Sequence, residues 1–193
     1  MMDQEAFSRK DFRRDHIPTP SLRGFFGRLT ERSFGELHIW DKEIINYVAG
    51  MLTRFARTDQ LYRIKSSEEK RLETVVEMLL EIAPSEEKPY ILDREREVRQ
   101  HIGDYTLFMI GIFREYVEGQ SIVEYYVTEG KRSYRHVSEL DRMLFRSGAG
   151  LFEELSKQFE YLGGALNYMK KVYFRPEMHQ GPYQGLIEQL SGW

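Results

Sequence analysis

Asp104 stands between Gly103 and Tyr105, at the entrance to the most apolar stretch of this chain. A carboxylate placed there must be paired or hydrogen-bonded, because burying it bare costs several kcal/mol. His101 lies one turn earlier on the same helical face. Tyr126, Tyr134 and Arg132 in the next helical segment are further candidate partners. An acid beside an imidazole and phenols could serve as a general base or anchor a polar ligand, so Asp104, His101, Tyr105, Tyr126 and Tyr134 form the candidate ligand-binding set. The preferred reading of Asp104 is nevertheless structural, a satisfied carboxylate that fixes helix register, since buried ion pairs usually serve the fold. Tyr125, Tyr126 and Tyr134, arranged around Gly130, could line a polar cavity. They are more simply the amphipathic border of a core.

Other chemistry is absent from the pattern. The histidines are His16, His38, His101, His136 and His179, and no two fall within one helical turn. There is no Glu-x-x-His and no His-Glu-x-x-His, so helical di-iron and zinc-protease arrangements are not met. No phosphate-binding Gly-rich loop, dinucleotide fingerprint or Gly-x-Ser-x-Gly elbow occurs. The chain has no cysteine, which removes disulfides, thiolate catalysis and iron–sulfur clusters. No catalytic residue, metal or cofactor is assigned. The run Arg146 to Gly150 precedes a helix start and could hold an anion, but a Gly-rich hinge explains it better.

These residues must be positioned by helices. Asp41 caps a helix over 41–56, with Ile44, Val48, Met51, Leu52 and Phe55 on one stripe. Ser66 with Glu69 is a capping-box pattern opening a second helix that Pro84 ends, with Leu72, Val75, Val76, Leu79 and Leu80 as its apolar stripe. The longest helix is expected over 93–118. It is charged at its start and apolar nearly all round from Tyr105 to Phe113, as a centrally buried helix is. Gly119 is read as its C-cap. Gly103 and Gly111 within it allow a helix or a flat ligand to come close, and helix contact is preferred. Ser121 and Glu124 suggest a capping box for a fourth helix that contains Gly130. A fifth spans 151–174, with a kink expected at Gly163-Gly164 and a stop at Pro176. A short amphipathic piece follows over 183–190. No strand alternation and no internal repeat is visible.

Residues 1–35 read differently. Between Ser8 and Arg32 seven basic residues (Arg9, Lys10, Arg13, Arg14, Arg23, Arg28, Arg32) oppose three acids. Pro18 and Pro20 should break any helix there, leaving an arm of short helical pieces with Phe25, Phe26, Leu29 and Phe34 to dock it. The expected organisation is therefore an arm, 1–35, and an all-α, single-domain bundle, 36–193, of about five main helices around a central apolar helix. The length of 193 residues supports one such core.

Composition narrows the partners. A net charge of −3 does not favour nucleic acid, and the arm's charges are better explained by docking or solvation. The apolar stretch 105–113 is far shorter than the roughly 18 residues of a membrane span. Met1 to Arg14 lacks the apolar core of a secretory signal, so a cytoplasmic location is expected by default. Ile102-Gly103-Asp104-Tyr105-Thr106-Leu107-Phe108, Gly111-Ile112-Phe113 and then Tyr125-Tyr126, Gly130 and Tyr134 resemble a group of uncharacterised bacterial helical proteins. Those carry a Gly-Asp-x-x-Leu-Phe-x-x-Gly-x-Phe helix followed by a Tyr-rich helix with a Gly. The resemblance implies an all-helical fold, no particular activity, and interest in Asp104, Tyr126, Gly130 and Tyr134. The leading expectation is a non-catalytic intracellular interaction or regulatory module, with a protein partner or a homo-oligomer. The alternatives are a small-molecule-binding protein or enzyme with a polar-aromatic pocket around Asp104, and binding of nucleic acid or a membrane surface through the arm.

Overall fold

A helical stretch that is apolar nearly all round must be enclosed by others, and the chain is built around a helix whose C-terminal half is of this kind. The computed structural model describes residues 19–57, 63–66, 70–83 and 91–191. Among them the secondary structure is helical, with one isolated bridge between Lys65 and Arg71 and no strand. The enclosed helix is α4, Leu92–Ile112, which follows α1 (Thr19–Glu36), α2 (Lys42–Phe55) and α3 (Val75–Glu81). Every residue from His101 to Phe113 is buried. The chain then passes through α5 (Arg114–Gly119), α6 (Val123–Met143), α7 (Ala149–Lys157) and α8 (Phe159–Tyr173) to α9 (Pro182–Ser191). Helices α2, α3, α6 and α8 pack directly on α4, and α1 packs on α2 and α8.

Glycines let these helices close on one another. The ring of Tyr134 fills the place of a Cβ at Gly103, 2.5 Å from where that atom would be. Leu166 does the same at Gly111, and Phe159 with the Thr106 hydroxyl at Gly130. Close helix contact is what the glycines of α4 serve.

Several expected boundaries move. The second helix does not begin at Ser66. The Ser66 hydroxyl instead accepts from the Lys70 backbone (3.3 Å), and the capping box is Thr74 with Glu77 at the start of α3. Glu69 lies outside the described residues. With only seven residues, α3 buries Val75 and Met78 and leaves Val76 and Leu80 exposed. The long central helix breaks at Phe113. The fifth helix breaks at Gln158, not at Gly163-Gly164, because Ile110 wedges against Gly163 inside a continuous α8. The segment 19–36 is one 18-residue helix, not short pieces. Pro20 falls in its first turn, where a missing N–H costs nothing. Phe25, Phe26 and Phe34 are buried as docking residues, and the exposed Glu36 carboxylate accepts the Tyr168 (2.9 Å) and Tyr173 hydroxyls of α8. Arg9, Lys10, Arg13 and Arg14 lie outside the described residues.

Three helices end in the same way. After α1 the backbone N–H of His38 reaches Gly35 O (3.1 Å) and that of Ile39 reaches Phe34 O (2.9 Å). After α5, Ser121 reaches Glu118 O (3.0 Å) and Ile122 reaches Val117 O (3.2 Å). After α6, Phe145 reaches Arg142 O (3.2 Å) and Arg146 reaches Asp141 O (2.8 Å). These are Schellman motifs, which place one residue in left-handed backbone and usually give that place to glycine. Here it holds His38 (φ 60°), Ser121 (φ 56°) and Phe145 (φ 53°). Ser121 therefore closes α5 and does not cap the next helix, and Gly119 is the last residue of α5, not its cap.

Candidate functional site

Three polar residues of α4 stand four positions apart: Arg96, Gln100 and Asp104. This spacing puts them on one face, and that face meets α2, α6 and α7. Asp104 is 2% exposed. Its Oδ1 accepts the hydroxyl of Tyr47 from α2 at 2.6 Å and that of Tyr134 from α6 at 2.8 Å. Its Oδ2 accepts Nη2 of Arg54 from α2 at 2.8 Å. The hydrogen bonds continue toward the N-terminal end of α4. Gln100 Nε2 donates to the Tyr47 hydroxyl (3.1 Å), and Gln100 Oε1 accepts Nη1 of Arg96 (3.1 Å). Arg96 then grips the fully buried Asp141 of α6 with two bonds, one of them Nη2 to Oδ2 at 2.8 Å. One chain of polar side chains thus ties α2, α4 and α6 together.

The electrostatics follow from this enclosure. Burial, and after it the adjacent Asp104 charge, pushes the Tyr47 and Tyr134 phenols well above their ordinary range. For Arg54 burial opposes the charge, and the Asp104 carboxylate more than offsets it, so the guanidinium is held more basic than usual. Arg96 is raised chiefly by its hydrogen bond to Asp141. Aromatic rings wall the cluster. Tyr47 and Tyr134 meet edge-on at 6.3 Å, and Phe152 of α7 stands edge-on to Tyr47 (5.4 Å) and beneath the Arg96 guanidinium (5.5 Å).

The five candidate residues separate into two groups. Asp104 and Tyr134 meet. His101, although one turn from Asp104, points elsewhere: its Nδ1 accepts Nε of Arg63 (3.3 Å), and its ring lies between Phe55 (5.7 Å) and Tyr105 (6.5 Å). Tyr105 meets Tyr126 at 6.0 Å, and a hydrogen bond between the two offsets part of the rise that burial gives Tyr126. Arg132 is exposed beside Glu129 (3.8 Å) and takes no part. Nor does Arg146 wait on an anion, since it pairs with Asp93 (2.5 Å). Among the described residues no group of three His, Asp or Glu could hold a metal ion, and no helix is long and apolar enough to cross a membrane.

Tyr47 and Arg54 were missing from the candidate set. Both lie in the helix expected over 41–56, seven positions apart and so on one face, and this was the available signal. The row Arg96, Gln100, Asp104 was another.

A general base needs a lone pair facing its substrate. Both oxygens of Asp104 are engaged by the protein's own donors, two phenols and a guanidinium. The arrangement is a clamp that fixes three helices in register, and Arg54, whose side chain is 37% exposed, carries it out to solvent. No known protein family, curated protein or solved structure matches this chain.

Proposed function

We propose that the protein is a non-catalytic, intracellular helical interaction module that engages a protein partner through the turn between α6 and α7. The reading is carried by Phe145. Its ring is 98% exposed, and its backbone takes the left-handed conformation of a Schellman position. A bulky residue there costs about 1 kcal/mol relative to glycine, and a solvated phenyl ring contributes nothing in return. A residue that costs the free chain stability without any return is explained by a contact made outside it. Met143, two positions earlier at the end of α6, is 66% exposed. The turn that presents both is closed by its two backbone bonds and flanked by the Arg146–Asp93 and Arg142–Glu153 pairs. The closed Asp104 clamp supports the same reading, since it offers no open acceptor to a substrate.

Sedimentation velocity of the purified chain, with affinity capture and cross-linking from extract, tests the proposal. The expected result is a defined oligomer or one specific partner cross-linked near residue 145, lost in both Phe145→Gly and Met143→Ser. A monomer without partners, or a complex indifferent to both changes, overturns it. So does Phe145-dependent flotation with vesicles, which would replace the protein partner with a lipid surface.

A further inference from the structure

Gly50 of α2 is buried, yet what covers it is charged. A Cβ placed on Gly50 would lie 2.9 Å from Nη1 of Arg23, which reaches over from α1, and 3.6 Å from Nη1 of Arg54. Two guanidinium groups therefore meet over bare backbone. The Arg54 charge is answered from the interior by Asp104 through Nη2, which leaves Nη1 on the Gly50 side. Arg23 has no such answer. Arg23 is an exposed residue, and among the described residues it makes no ion pair and no hydrogen bond.

Like charges brought together repel unless a counter-charge bridges them. We propose that Arg23 and Arg54 form a binding site for an oxyanion, a phosphate or phosphate monoester, seated over Gly50 and held between the two Nη1 groups. Guanidinium forks suit phosphate oxygens better than point charges do. One of the two is preorganised. Asp104 holds Arg54 Nη2 from the interior and the Tyr47 ring lies 5.8 Å from the guanidinium carbon, so less ordering remains when an anion arrives. Asp104, Tyr47 and Tyr134 are then positioning residues that aim Arg54 at the surface. The glycine is part of the site, because any side chain at position 50 would occupy the ground between the two forks. None of this depends on the α6–α7 turn.

Arginine Nε–H resonances, followed during titration with inorganic phosphate at constant ionic strength, provide the test. A parallel arm uses flotation with phosphatidylglycerol vesicles, to distinguish a free phosphate from a lipid headgroup. Saturable shifts confined to Arg23 and Arg54 are expected, weakened about tenfold in Arg23→Gln, the size of one lost charge-assisted contact. Arg23 is exposed and bonds none of the described residues, so this variant keeps its melting temperature. Arg54→Lys removes the clamp's partner and is the less secure variant. A vesicle signal that depends on Arg23 supports the same site and names its source as a headgroup. Shifts that are linear and shared by surface arginines generally, or that survive Arg23→Gln, overturn the proposal. So does silence in both arms.

Discussion

Asp104→Asn removes one charge from the centre of the clamp and turns one acceptor oxygen into a donor. The amide oxygen can still receive Tyr47 and Tyr134, but as a neutral acceptor. Charge-assisted bonds are roughly twice as strong as neutral ones, so each phenol loses about 1 kcal/mol. The new Nδ2 faces Arg54 Nη2 across what was a 2.8 Å bond, donor against donor. Arg54 is 37% exposed and can turn partly to water, so this break is discounted to about 1 kcal/mol rather than the full cost of a broken buried pair. The total is about 3 kcal/mol, or a fall in Tm of about 6–12 °C for a chain of this size. Urea unfolding followed by far-ultraviolet circular dichroism measures it, with the slope checked for constancy. A double-mutant cycle sharpens the result: Tyr134→Phe should cost clearly less in the Asp104→Asn background than alone, because the bond it removes is already weakened. A loss below about 1 kcal/mol, or strict additivity in the cycle, would show that Asp104 does not hold the helices and would refute the clamp.

Alkaline pH probes the same cluster. Tyr47 and Tyr134 are raised in the folded state above the ordinary phenol value of 10.0, so their contribution is complete below about pH 10 and is lost as pH rises beyond it. Phenolate absorbance should show two tyrosines that ionise only with unfolding, and Tyr134→Phe should flatten the loss of stability. The glycines divide by environment. Gly164→Ala, with nothing near its missing Cβ, should stabilise α8 by about 0.5–1 kcal/mol, whereas Gly130→Ala, driven into Phe159 and Thr106, should destabilise by about 1–3 kcal/mol in thermal unfolding. Ser121→Gly and Phe145→Gly should each stabilise by about 1 kcal/mol by relieving left-handed backbone, as measured by denaturant midpoint.

The boundaries that the sequence misplaced share a cause. Ser66-x-x-Glu69 and Thr74-x-x-Glu77 are both capping boxes on paper, and Ser121-x-x-Glu124 is a third. Thr74 has its side chain bonded at N3, with its own backbone in extended conformation. At Ser121 the backbone is left-handed, finishing one helix before the next begins. Gly163-Gly164 looked like a kink, yet Ile110 fills the space at Gly163 and the helix runs on. A local signal of this kind is worth about 1 kcal/mol, and packing by a neighbour outweighs it.

Helical periodicity, the all-round apolar run of the central helix and the lone acid at its mouth were legible in the sequence, because they follow from the 3.6-residue repeat and from the cost of burying a charge. That Asp104 needed a partner was legible too. Which partners it has was not. Tyr47 and Arg54 lie 57 and 50 residues away, and His101 is only three, yet the helix crossing delivers the distant pair and turns the imidazole toward Phe55 and Tyr105. Sequence spacing governs contacts within one helix. Contacts between helices depend on crossing angle and rotation, which the whole core sets at once, so the pairing of Asp104 and the meeting of Arg23 with Arg54 over Gly50 exist only in the tertiary structure.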